Sequence, residues 1–300
     1  MGVDTYGSLE GRVILVTGAT SGMGLTSAQM LAQNGAKVAM CGRRSDVGER
    51  EAAAIRDAGG DATFFLCDVG QEADCVRVVA QTVERYGRLD GAFNNAGVSG
   101  GNWESTSAED YDSIMDINVR GVFFCMREQV AQLRKQGSKG SIINCGSTNA
   151  HRAAAAQSLT YTTSKHAVSG LSKQAAVEYG RFGIRVNTLS PGWIPTEMTS
   201  RIKEVDGLEE HFAKYSPMER WGTTEEIAST VCFLLSDSAS FINGVDLLVD
   251  GGMCQSEPPG GACVCVRSCR LVSLSESCSQ SSRLRFASCF LSATLPLRRA

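Results

Sequence analysis

The chain has 300 residues, 43% apolar and 20% charged, the mix of a water-soluble globule with length for one large α/β domain or two small ones. Its formal net charge is −3, and six Arg against two Glu in residues 255–300 leave residues 1–254 at −7. An acidic body argues against nucleic acid as main partner, since phosphate binding needs a basic face, and no apolar run is long enough to span a bilayer.

The first residues, MGVDTYGS, carry no signal-like apolar stretch, so a cytoplasmic location and no membrane partner are expected. Seven of the twelve cysteines lie in residues 1–254, mostly inside apolar runs such as VAMC and VFFC, and read as small buried hydrophobes. No C-x-x-C pair occurs and only three histidines are present, so no metal site is expected.

Strand-like runs at 12–17, 37–41, 63–67, 89–95, 140–147, 184–191 and 245–250 alternate with helix-period stretches at 22–34, 46–58, 71–86, 107–135, 160–181 and 224–236. Such alternation predicts an α/β fold: a doubly wound, parallel seven-stranded sheet with helices on both faces, in one domain over residues 1–254. The first strand runs into Thr17-Gly18-Ala19-Thr20-Ser21-Gly22-Met23-Gly24 and then a helix, where glycines let backbone N–H groups approach a pyrophosphate. The second strand exits through Cys41-Gly42-Arg43-Arg44, and Asp46 with Glu49 predicts a capping box for the next helix. Thr223/Thr224 ahead of Glu225/Glu226 predicts another. Tyr161 and Lys165 stand four apart on a helix and share a face. A phenol titrates near 10 when unperturbed, and a neighbouring ammonium favours its ionised form, which suits acid/base work.

Taken in order, T-G-x-x-x-G-x-G, Asn94-Asn95-Ala96-Gly97, Ser147, Tyr161-Thr162-Thr163-Ser164-Lys165 and Pro191-Gly192 resemble the short-chain dehydrogenase/reductase family, collinearly over residues 8–254. The resemblance implies a Rossmann-like sheet and hydride transfer between a nicotinamide cofactor and a small-molecule carbonyl or alcohol. It gives Tyr161 the role of acid/base and has Ser147 bond the substrate oxygen. Lys165 would bond the nicotinamide ribose, and Asn118 would hold a water that links Lys165 to solvent. Gly18, Ser21, Gly22, Met23 and Gly24 would carry the phosphates. Asp68 with Val69 would meet the adenine, and Asn94, Ala96 and Gly97 would line the adenosine side. Pro191, Gly192, Ile194 and Thr196 would abut the carboxamide. Gly42 stands where NAD-preferring relatives place Asp, and Arg43 can grip a 2′-phosphate, so NADP(H) is expected over NAD(H). A homodimer or homotetramer is implied as well.

Residues 195–220 occupy the place of the family's substrate lid, where Trp193, Met198 and Phe212 suggest an apolar or ring-containing substrate or simple packing. His151 and Arg152, on the segment between Ser147 and Tyr161, read as solvated loop charges, and Ser164 as a small packing residue. Residues 255–300, with ten Ser, six Arg and no sustained periodicity, read as a disordered tail. Alternatives are 3-oxoacyl thioester reduction, which shares every motif, and a catalytically silent nucleotide-binding scaffold, which would lack the serine, tyrosine or lysine present here. A metal-dependent hydrolase would need carboxylate or histidine clusters at strand ends.

Overall fold

A computed structural model of the chain describes residues 9–100, 106–152 and 159–256. They all belong to the first of two units, Met1–Ala262. The seven expected strands are all present: β1 Val13–Thr17, β2 Lys37–Gly42, β3 Asp61–Leu66, β4 Gly91–Asn94, β5 Gly140–Cys145, β6 Ile184–Pro191 and β7 Asp246–Val249. They form one parallel sheet in the order β3-β2-β1-β4-β5-β6-β7. Every residue of β1 and β4 is buried, as a strand covered on both faces requires.

The helices are α1 Gly22–Gln33, α2 Ser45–Asp57, α3 Glu72–Tyr86, α4 Ala108–Met115, α5 Gly121–Gln136, α6 Leu159–Tyr179, the short α7 Ser200–Lys203 and α8 Leu208–Ala213, and α9 Thr224–Leu235. One face of the sheet packs Leu31, Ile55, Ile227 and Val231 against Ile14, Val16 and Val38, and the other packs Val78, Val79 and Phe124 against Leu15 and Ala39. Sheet order reverses between β1 and β4, and their carboxyl ends open the crevice where such folds bind ligands.

Two expectations change in detail and a third holds. The helical stretch 107–135 is interrupted by a π-helical turn, Asp116–Arg120, which holds Asn118. Helix α2 begins at Ser45 with Arg44 at its N-cap and no side-chain cap, so Asp46 lies in the first turn and the Asp46/Glu49 box does not form. The Thr223/Glu226 box does form, with the Thr223 Oγ1 accepting from Glu226 N at 3.2 Å and the Glu226 carboxylate accepting from Thr223 N at 2.8 Å.

Six of the seven body cysteines are buried and all seven are free thiols. Burial pushes the Cys232 thiol up to about 12, so it stays protonated and unreactive at neutral pH. No group of three or more His, Cys, Asp or Glu able to hold a metal occurs among the described residues. No helix among them is long and apolar enough to cross a membrane. The body runs two residues past Cys254: Met253–Gln255 form a 3₁₀ turn, and the Ser256 hydroxyl donates to Tyr215 O at 3.0 Å. The expectation for the rest of the tail lies outside the described residues.

Candidate active site

The cleft at the carboxyl ends of the strands encloses about 350 Å³. Gly18, Ser21, Gly22 and Met23 line one side, and Ser147, Tyr161 and Lys165 line the other. Ala96, Gly97, Pro191, Gly192, Ile194 and Thr196 border it between them.

Gly18 carries the turn between β1 and α1 at φ +65°, and a Cβ there would meet the Ala96 backbone at 2.9 Å. The turn therefore presses directly onto the loop after β4. Asn95 holds that contact, its amide donating to Thr17 O and Gly18 O at 3.2 and 3.1 Å. Ser21 sits at the N-cap of α1 yet makes no side-chain cap bond, so the first N–H groups of the helix keep their capacity for an anion. These features fit a dinucleotide's pyrophosphate. Gly24 is buried behind the turn, packed on the Gly18 carbonyl, and supports the loop without lining the cleft.

Two of the expected cofactor residues stand in contrasting surroundings. Asn94 is 2% exposed, and its amide exchanges bonds with Gln129 and donates to Asn144, so its side chain braces the core instead of the adenosine side. Arg43 is exposed and bonds no described residue. Its neighbour Arg44 turns toward the glycine loop instead, donating to Thr20 Oγ1 at 2.9 Å, Ser21 Oγ at 2.8 Å and Glu197 Oε1 at 3.0 Å. The Arg44 guanidinium holds the Glu197 carboxyl below the usual carboxylate range, with Ser21 assisting and slight burial opposing. A Cβ on Gly42 would lie 3.1 Å from the Thr20 methyl, so a larger residue there would crowd this cluster. Asp68 is half-buried, with one carboxylate oxygen accepting Gly70 N at 3.0 Å, and Val69 is buried beneath it.

On the opposite side, Ser147 Oγ accepts Asn149 N at 3.2 Å, which leaves its own hydrogen to donate elsewhere. Lys165 is 3% exposed and donates to Cys145 O at 2.8 Å, with its Nζ 5.4 Å from the Tyr161 ring centre. Asn118 is wholly buried, not in the cleft wall. Its Oδ1 accepts Val98 N at 2.9 Å, and its Nδ2 donates to Val98 O and to Ser164 Oγ. Ser164 then donates to Tyr161 O at 2.7 Å, so it is a strut between the π-turn and the tyrosine's backbone, more than a filler. π-turns of this kind are frequent at functional sites.

The lid segment folds as a 3₁₀ turn, Glu197–Thr199, followed by α7 and α8. Trp193 stacks between Phe212 and Trp221 at 4.5 and 5.6 Å and also borders the cleft, as Met198 and Ile202 do. His151 and Arg152 are not free loop charges. His151 pairs with Asp246 at 3.1 Å, and Arg152 donates to Met253 O at 2.6 Å. From sequence, Arg44 and Trp221 carry no assigned role, and Ser164 reads only as packing. Arg44 meets Glu197 and Ser164 meets Asn118 from 153 and 46 residues away, and no local pattern marks those contacts.

Residues 18–254 match a family model described as enoyl-(acyl carrier protein) reductase. The chain is 42% identical over 247 residues to a 2,5-dichloro-2,5-cyclohexadiene-1,4-diol dehydrogenase of Sphingobium indicum, covering 81% of this chain and 97% of that one. Among solved structures, levodione reductase superposes with a TM-score of 0.79 at 38% identity, over 83% of this chain and 99% of its own. A gluconate 5-dehydrogenase from Burkholderia cenocepacia, in complex with NADP and tartrate, superposes with a TM-score of 0.80 at 30% identity, over 85% and 99%. With the strand order, the glycine turn and the serine–tyrosine–lysine wall in place, this chain belongs to the short-chain dehydrogenase/reductase family.

Proposed function

We propose that the protein is an NADP(H)-dependent ketone reductase or secondary-alcohol dehydrogenase in which Tyr161 is the acid/base. The observation that carries this reading is the convergence of Ser147, Tyr161 and Lys165 on one wall of a cleft whose other wall is a phosphate-binding turn. When bound, the nicotinamide supplies or accepts the hydride. Ser147 donates its free hydroxyl hydrogen to the substrate oxygen and holds it against the phenol. Tyr161 gives that oxygen a proton in reduction and takes it back in oxidation. Lys165 supplies positive charge beside the phenol and a donor for the ribose. Asn118, fixed by three hydrogen bonds, holds the π-turn against Tyr161 and keeps a proton path to Lys165 open.

Arg44, supported by Arg43 from the rim, grips the 2′-phosphate. Gly42 supports this preference by placing no acid there, and the gluconate 5-dehydrogenase with bound NADP supports it by likeness. The substrate is a small ring or apolar ketone, in keeping with the names of the diol dehydrogenase and levodione reductase and with Met198 and Ile202 in the cleft. Val177 and Phe241, exposed at 82% and 103%, support a homo-oligomer. The catalytic body ends within Cys254–Ser256, and residues beyond it are not needed for folding.

NADPH consumption by the purified protein over cyclic ketones and 3-oxoacyl thioesters tests the assignment. Turnover of ketones supports it. Thioester turnover alone would move the protein to acyl reduction, and none with either would leave the scaffold reading.

A further inference from the structure

Behind Ser147, strand β7 places a carboxylate in the protein interior. The Asp246 side chain is 5% exposed, followed on its strand by Leu247, Leu248 and Val249. Its Oδ1 accepts a hydrogen bond from Ser190 Oγ at 2.6 Å and faces His151 Nε2 at 3.1 Å. Ser190 Oγ in turn accepts the backbone N–H of Ser147 at 3.1 Å. The bonds run from Ser147 N–H to Ser190, from Ser190 to Asp246, and from His151 to the same carboxylate oxygen. Both ends of the segment Ser147–His151, which includes the 3₁₀ turn Thr148–Ala150, are thereby fastened to one group.

Two further observations show that the arrangement is built. Gly146 lacks a side chain where Ser190 Oγ and the Thr188 methyl stand, so any Cβ there would push Ser190 off the Ser147 amide. Asp246 Oδ2 is buried without a partner among the described residues, as is Thr188 Oγ1, on the residue in register with Asp246 across the β6–β7 ladder. A buried carboxylate with an unsatisfied oxygen is costly, and an apolar residue would fill the strand position without that cost. Its neighbours do not neutralise it. Cys145 and Cys254 are thiols, Asp250 is a like charge bonded to Gly252 N and Cys254 N, and Arg152 is spent on Met253 O. Lys165 is held at Cys145 O. Among the described residues, His151 is the cation-forming side chain within ion-pair reach of Asp246.

We propose that the His151–Asp246 pair, acting through Ser190, is a positioning device that sets the Ser147 hydroxyl for the substrate oxygen. Neither residue touches substrate. The inference rests on the reading of Ser147 as the substrate-oxygen donor and adds to it what the histidine and carboxylate behind that serine do.

Turnover per cofactor-binding site, KM for a ketone, cofactor Kd and Tm are measured for His151→Phe, His151→Gln, Asp246→Asn and Ser147→Ala. His151→Phe and Asp246→Asn should lower kcat at least tenfold while cofactor Kd and ketone KM stay within about threefold. His151→Gln, whose amide can still donate to the carboxylate, should recover most of the lost rate. A purely structural pair would lower Tm and the number of cofactor-binding sites but leave kcat per site unchanged, and that result overturns the proposal. His151 is 27% exposed on a surface turn, so its variants report even if Asp246→Asn folds poorly. If Ser147→Ala is inactive while the His151 variants are fully active, only the positioning role falls. Full activity in Ser147→Ala would remove both readings.

Discussion

The two walls of the cleft hold their polar groups in opposite ways. Around Tyr161, the working side chains are buried and anchored to backbone: Lys165 to Cys145 O, Asn118 to Val98, Ser164 to Tyr161 O. Around the glycine turn, the charged groups are exposed and bonded to nearby hydroxyls and to each other, with Arg44 and Glu197 side chains 44% and 64% accessible. Buried, satisfied networks fix geometry because every alternative leaves a desolvated polar atom without a partner. Exposed ion pairs are screened and each contributes little. Chemistry is therefore expected to depend steeply on single atoms at the first wall, and cofactor choice to depend on graded, replaceable charge at the second.

The sharpest way to break that contrast is Tyr161→Phe, which removes one hydroxyl from the rigid wall. Turnover should fall by about 10²–10⁴-fold, the usual worth of general acid–base catalysis, while NADP(H) still binds. Steady-state rates and a fluorescence titration on the same preparation check both halves. Near-normal turnover would remove Tyr161 from the chemistry.

At the second wall the expected loss is smaller and selective. Arg44→Ala should cost NADP(H) about 1.5–3 kcal/mol of binding, the worth of a charge-assisted hydrogen bond, and leave NAD(H) little changed. Arg43→Ala should cost less, since Arg43 stands exposed and bonds no described residue. Titrating both cofactors against both variants separates the two arginines, and equal losses would mean the side chains exchange roles on binding.

This pair of residues also marks how far the sequence could be read. The strands were legible because buried β-branched runs between helices leave few other options, and the serine, tyrosine and lysine because their spacing survives in the chain. Arg43 and Arg44 differ only in which way they leave the end of β2, and direction there depends on where the strand stops, at Gly42. Asn94 looked like a cofactor contact because it adjoins Ala96 and Gly97, yet its partners Gln129 and Asn144 are 35 and 50 residues away. Asp46 and Glu49 have capping-box spacing, but α2 starts at Ser45 with Arg44 as N-cap, two residues before the position the box needs. The His151–Asp246 tie, between residues 95 positions apart, leaves no local trace.

A third test concerns the end of the body. A chain stopped after Ser256 should match the full chain in Tm and cofactor affinity. One stopped after Cys254 loses the Ser256 bond to Tyr215 O beside the lid, a difference of about 1 kcal/mol in stability. Thermal unfolding of the three lengths checks this. A 1–256 protein that cannot bind cofactor would place part of residues 257–300 inside the domain.

The smallest effect is expected from Glu197→Gln, and its sign can be worked out from charge. The Arg44 guanidinium lowers the Glu197 carboxyl in the folded protein relative to the unfolded chain. A depressed carboxylate contributes stability that is present above its ordinary unfolded value and lost as pH falls through the lower folded value. With the side chain 64% accessible, solvent screening keeps that contribution below about 1 kcal/mol. The variant should therefore melt slightly below the parent at pH 7, and the gap should close in acid, where the parent's carboxylate is itself protonated. Ligand binding should move the opposite way. Glu197 satisfies Arg44 without cofactor, so a 2′-phosphate must displace or share that contact, and removing the competing charge should tighten NADP(H) binding by a few fold and leave NAD(H) unchanged. Paired melting curves and titrations are enough to see both. If Glu197→Gln weakens NADP(H) instead, the carboxylate orients Arg44 for the phosphate, and the exposed wall is more rigidly organised than its accessibility implies.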